Sequence, residues 1–117
     1  MLGALIVKPF SLPEADWSFS GVLATSSDVA AKAAAGAGLK NYVTGIQVQN
    51  TSATATVFYV KDGTTVKHQI SLPASMTAPV DCTFQTPLAS AANAIINVAC
   101  ATTGANVLAN LQGYAAP

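Results

Sequence analysis

From Trp17 onward, apolar and polar residues alternate with a period of two, the spacing that sets one face of a β-strand against a core. Trp17, Phe19 and Gly21 alternate with Ser18 and Ser20, which predicts a first strand with its aromatics inward. Residues 42 to 49, YVTGIQVQ, predict a β-branched strand with Tyr42, Thr44, Ile46 and Val48 on one face and Gln47 and Gln49 on the other. Two further runs, 54 to 60 and 64 to 72, flank Lys61-Asp62-Gly63, and an Asp-Gly between β-rich runs predicts a type I′ hairpin. Val66, His68, Ile70 and Leu72 share one face of its second arm, opposite Lys67, Gln69 and Ser71. Val80, Cys82 and Phe84 then alternate with Asp81 and Thr83 in a short strand that Pro87 is expected to end. Ala94 to Cys100 follows, and after a turn at Thr103-Gly104 the residues Val107, Ala109 and Leu111 alternate with Asn106 and Asn110. Short strands at regular intervals, with turn signals between them, predict an all-β antiparallel β-sandwich of about eight strands.

Two segments depart from this rhythm. Residues 26 to 39, SSDVAAKAAAGAGL, satisfy a short helix capped by Ser27 and Gly36. Val29, Ala31, Ala33 and Ala35 also fit a period of two, and a helix that short lacks an apolar face to dock, so strand is the preferred reading. Residues 1 to 16, MLGALIVKPFSLPEAD, combine an apolar start with Pro9 and Pro13 and predict an extended N-terminal arm ahead of a sandwich domain over 17–117. The arm either lies as an edge strand on its own domain or reaches a neighbouring chain. Its apolar side chains Leu2, Leu5, Ile6, Val7 and Phe10, with Trp17 at the junction, are the expected interface residues.

Composition narrows the function classes. Charged residues are 9% of the 117, against about 25% in ordinary soluble domains. Five lysines balance five acids and there is no arginine. So few cations cannot supply a run of phosphate contacts or a patch for anionic lipid, which excludes nucleic acid and membrane surfaces as expected partners. Ala, at 23, and Thr, at 12, replace charge and make a neutral surface with little repulsion between copies. No stretch approaches the ~20 apolar residues of a spanning helix. Lys8 follows the early apolar run where a secretory signal needs its charge first, so export by that route is not expected.

Candidate chemistry is sparse. A Ser-His-Asp relay needs a histidine, and the single one, His68, falls by parity among Val66, Ile70 and Leu72, a half-buried structural position. The carboxylates Glu14, Asp16, Asp28, Asp62 and Asp81 fall in the arm, a turn and outward strand positions rather than as the flanking pair of a glycosidase. Cys82, Cys100 and His68 are three unpaired candidates where a structural zinc usually takes four, and two cysteines leave a disulfide open without fixing a framework. Gly36-Ala37-Gly38 lacks the third glycine of a dinucleotide loop and precedes a strand. Asn50-Thr51-Ser52 fits the glycosylation pattern by coincidence in a chain without an export signal. No enzyme activity, cofactor or metal is expected.

The string AAAGAGLKNYVTGIQVQNTSATATVFYVKDGTTV, then Phe84-Gln85-Thr86-Pro87-Leu88, then the ending Gln112-Gly113-Tyr114, resembles a group of small structural proteins of tailed bacteriophages. The likeness runs from Val29 to Tyr114, and the family typically carries Arg where Lys40 stands. It implies a jelly-roll sandwich that associates as a homotrimer and decorates or cements the capsid by binding the major capsid protein. It also implies a virion location, with assembly in the host cytoplasm and both cysteines reduced. A tail, fibre or baseplate module and a host-surface glycan- or receptor-binding module are the alternatives.

Overall fold

The strands predicted by the alternation pair into two antiparallel sheets in a computed structural model, which describes residues 15–117. In chain order they are β1 (Asp16–Leu23), β2 (Val29–Lys32), β3 (Lys40–Asn50), β4 (Thr56–Asp62), β5 (Thr65–Leu72), β6 (Val80–Ala89), β7 (Ile96–Cys100) and β8 (Val107–Ala116). Sheet I has the order β1-β8-β3-β6 and sheet II the order β2-β7-β4-β5. First strand pairs with last, second with seventh, third with sixth and fourth with fifth, which is a long hairpin rolled into a jelly roll. The fold class is the expected all-β sandwich, with no helix among the described residues.

Between the sheets lie Phe58, Leu23, Ile46, Leu72, Ile96 and Leu111 with five fully buried valines. Burying a side chain of this size stabilises by about 1.5–3 kcal/mol, so this layer is the main source of stability. At the proximal end of the sandwich lie the start of β1, the end of β8, the 63–64 turn and the segments 33–39 and 90–95. The segments 24–28, 51–55, 73–79 and 101–106 close the distal end.

Several expectations shift in detail. The expected arm over 1–16, with Leu2, Leu5, Ile6, Val7 and Phe10, lies outside the described residues except at its last two positions. Asp16 already pairs with Tyr114, so β1 begins one residue before Trp17. In β3, Tyr42 and Thr44 do not share a face with Ile46 and Val48. A bulge between Val43 and Gly45 inserts Thr44 as an extra residue, so Val43 is buried and Tyr42 turns outward. Parity counted along a sequence fails at such a bulge, because one inserted residue flips every later side chain. Pro87 does not end β6, since Leu88 and Ala89 still pair with Val43 and Tyr42. The proline sits in the excursion 84–87 of an edge strand, where its missing N–H leaves no ladder bond unmade.

The helix alternative over 26–39 does not form. β2 occupies Val29–Lys32 only, and Gly38, at φ 76°, completes a turn closed by Leu39 N–H donating to Gly36 O at 3.1 Å. Ala30 and Ala31, with Ala33 to Ala35 following, give β2 nothing large to bury, so it is short. The hairpin stands one position later than expected: Asp62 pairs with Thr65, and Gly63-Thr64 is the loop. Gly63 has φ 61° whereas Thr64 does not have a positive φ, which makes a II′-like turn with Gly first, rather than I′.

Three of the four edge strands are interrupted. β2 is bulged between Ala30 and Lys32, β5 opposite Val60 and Lys61, and β6 by its 84–87 excursion. Such breaks blunt an edge against pairing with another chain. β1 alone runs in unbroken register, from Asp16 to Leu23.

Candidate functional site

The outer face of sheet I carries side chains from all four strands. Asp16, Ser18, Ser20 and Val22 come from β1, and Leu108, Asn110, Gln112 and Tyr114 pair beside them from β8. Lys40, Tyr42, Thr44, Gln47 and Gln49 of β3 and Asp81 and Thr83 of β6 lie there too. Only Asp16, Lys40 and Asp81 among these are charged. The amides are joined: Gln47 Nε2 donates to Gln112 Oε1 at 3.0 Å, and Gln112 Nε2 returns a bond to Gln47 Oε1 at 2.7 Å. Gln47 Nε2 also reaches Asp81 Oδ1 at 3.2 Å. Tyr42 stacks on Tyr114 at 4.9 Å between ring centroids, and Val22 and Leu108, 57% and 37% exposed, form a cross-strand apolar pair.

The β3 bulge shapes this face. Gly45 has no side chain to fill the space above it, and with the 84–87 excursion as a wall a groove of about 600 Å³ opens over Thr44, Thr83, Gln112 and Tyr114. The outer face of sheet II differs. There Lys61 pairs with Asp28 at 2.8 Å and lies 5.8 Å from the Tyr59 ring centre, and Lys67 stands exposed on β5.

Two asparagines, both 0% exposed, terminate β3. At the distal end Asn50 Nδ2 donates to Thr54 O and Pro73 O, while its Oδ1 accepts from Ser52 N–H and Ser52 Oγ. Its backbone carbonyl takes Met76 N–H. The amide of the Asn50-Thr51-Ser52 match is thus consumed in tying two loops to the strand, which leaves no room for a glycan on this folded chain. At the proximal end Asn41 Nδ2 donates to Ala33 O and Ala94 O, and its main chain exchanges bonds with Ser90. Asn41 Oδ1 is buried with no donor.

Trp17 is the one expected interface residue among the described residues. It is half-buried, packs over Gly113, its cross-strand partner, and its indole Nε1 is buried without an acceptor. A Cβ on Gly113 would meet Tyr42 O and come within 2.5 Å of Trp17 Cζ2, so only glycine fits beneath the indole. Beside it a second groove, of about 660 Å³, is lined by Ala15, Asp16, Trp17, Lys32, Ala34, Ala35, Leu39, Ala115, Ala116 and Pro117. Leaving a buried polar group unpaired costs about 1–3 kcal/mol, and the proximal end carries two such atoms.

The candidate chemical groups are dispersed. His68 packs edge-on against Phe84 at 5.1 Å and 88° across the open side of the sandwich. Asp28 is held by Lys61, Asp62 accepts Ala91 N–H at 2.9 Å, and Asp81 takes the Gln47 amide. Cys82 and Cys100 are free thiols, and Cys100 Sγ donates to Thr25 O at 3.1 Å. Among the described residues no three His, Cys, Asp or Glu side chains converge as a metal site. Sequence reasoning missed Asn41, Asn50, Gly113 and the Gln47–Gln112 pair. Asparagines bounding a β-branched run were a usable signal, because an amide at a strand end can tie down the adjoining loops.

No family model matches the chain, and no curated protein matches it. Among solved structures, it is similar to a chain of the Cyanophage Pam1 capsid asymmetric unit, at 16% identity and a TM-score of 0.47, over 86% of this chain and 80% of that one.

Proposed function

We propose that this chain is a structural, non-catalytic protein of a tailed-phage virion, which decorates or cements the capsid as a homotrimer bound to the major capsid protein. The observation that carries the reading is the outer face of sheet I. It is four strands wide, bears only Asp16, Asp81 and, at its proximal end, Lys40 as charges, has Gln47, Gln112 and Asp81 joined by hydrogen bonds and exposes Val22 beside Leu108. A rigid, charge-poor face loses little side-chain entropy on contact and opposes no like charge, which suits contact with copies and with shell subunits. Apolar area buried there, at about 25 cal/mol per Å² before association costs, would stabilise the assembled shell by mass action.

The resemblance noted in the sequence supports the same reading, since its motif residues have matching structural work. Gly38 makes the turn before β3, Pro87 lies in the β6 excursion, and Gln112, Gly113 and Tyr114 serve the amide pair, the Trp17 seat and the tyrosine stack. The test is the native mass of the purified protein, followed by its localisation on particles by electron microscopy. Trimers and density on the capsid are expected; density confined to the tail would move the protein to a tail, fibre or baseplate role. The groove over Gly45, with Asp16, Gln112 and Tyr114 on its walls, favours glycan binding as a second reading. Micromolar binding on a glycan array would support that reading over cement.

A further inference from the structure

The proximal groove combines two features. Its lining is mostly apolar and small, with Ala35, Leu39 and Ala115 beside Trp17 and only Asp16 and Lys32 charged. Trp17 Nε1 is a buried donor without an acceptor. An extended peptide offers backbone carbonyls for such a donor and apolar side chains for such a lining. The described chain begins at Ala15, on the rim of this groove, and the fourteen residues before it are rich in apolar side chains.

We infer that the groove is the docking site for residues 1–14 of a neighbouring copy. Fourteen extended residues span about 46 Å, enough to reach an adjacent molecule. Pro9 and Pro13 disfavour the helical region for Lys8 and Leu12, so the sequence favours an extended segment. An arm seated in the next molecule's groove is a head-to-tail contact, and such contacts close into rings, of which a trimer is one. The inference rests on the proposed homotrimer and names how its copies are joined.

The full-length chain carrying Leu5→Cys and Ala35→Cys, on a Cys82→Ser background, tests it by crosslinking with a short bismaleimide and denaturing electrophoresis. Covalent dimers and trimers are expected, absent from either single-cysteine control, with the yield falling roughly tenfold or more when Leu39→Glu places a charge in the groove. Circular dichroism checks that each variant is folded. A crosslink confined to single chains, or none in folded protein, overturns the inference. Sedimentation of the parent protein separates the two claims: a trimer whose crosslinks stay within chains keeps the homotrimer and removes the arm contact, whereas a monomer removes both.

Discussion

At the distal end of β3 every polar atom of the Asn50 amide is occupied, whereas at the proximal end Asn41 keeps its Oδ1 unpaired, although both side chains are equally buried. The same residue type on the same strand thus closes one end of the sandwich fully and the other in part. Around Asn50 the loops also bind one another: Thr51 N–H donates to Asn106 O, Ser75 N–H to Ser52 O and Gly104 N–H to Ala24 O. Around Asn41 lie alanine-rich segments, a groove and a tryptophan whose N–H is also unpaired. A folded protein keeps few such buried orphans, and both of those among the described residues lie at the proximal end.

The largest expected effect is at the proximal end. Gly113→Ala should lower unfolding free energy by about 4 kcal/mol in a denaturant titration, because the new methyl meets the Tyr42 carbonyl and the Trp17 ring rather than a movable side-chain tip. A loss below 1 kcal/mol would mean that Trp17 is not seated as described. Next, Asn50→Ala should cost about 3 kcal/mol and Asn41→Ala about 2 kcal/mol. The order follows from the bonds removed, four for the Asn50 side chain and two for that of Asn41. Equal losses would dissolve the contrast between the ends.

Gly45→Ala should change stability by under about 1 kcal/mol, since its Cβ meets only the flexible tip of Gln112, at 2.8 Å, and alanine is less costly than glycine in a strand. Smallest is Asp28→Asn, which removes the Lys61 ion pair on sheet II and should cost about 0.5 kcal/mol at low salt. That difference should fade at molar salt. Independently of stability, thiol titration in denaturant without reductant should find both cysteines reactive, and fewer would point to a disulfide absent from this fold.

Much of the architecture was legible in the alternation. The inward sets His68-Ile70-Leu72 and Val107-Ala109-Leu111 stand in the structure, because each depends on neighbours within one strand, whereas Val66, 43% exposed and paired with Lys61 beyond the β5 bulge, leaves the face that alternation assigns it beside His68. The errors share one cause. Counting along β3 puts Tyr42 and Thr44 on the face of Ile46 and Val48, because the bulge at Thr44 is forced by partner strands that no such count can reveal. Pro87 reads as a terminator in the sequence because its tolerance depends on β6 being an edge. Asn50 matched a glycosylation pattern, while its four side-chain bonds come from loops whose positions follow only from the rolled hairpin.

The sequence by itself determined an all-β chain with a neutral surface, since period-two hydrophobicity, turn residues and net charge are local or additive properties. Only the tertiary structure decided which polar groups are completed and which are left open. Hydrogen-bond satisfaction depends on atoms brought together from distant strands, and Asn41 and Asn50 are alike until that assembly surrounds them differently.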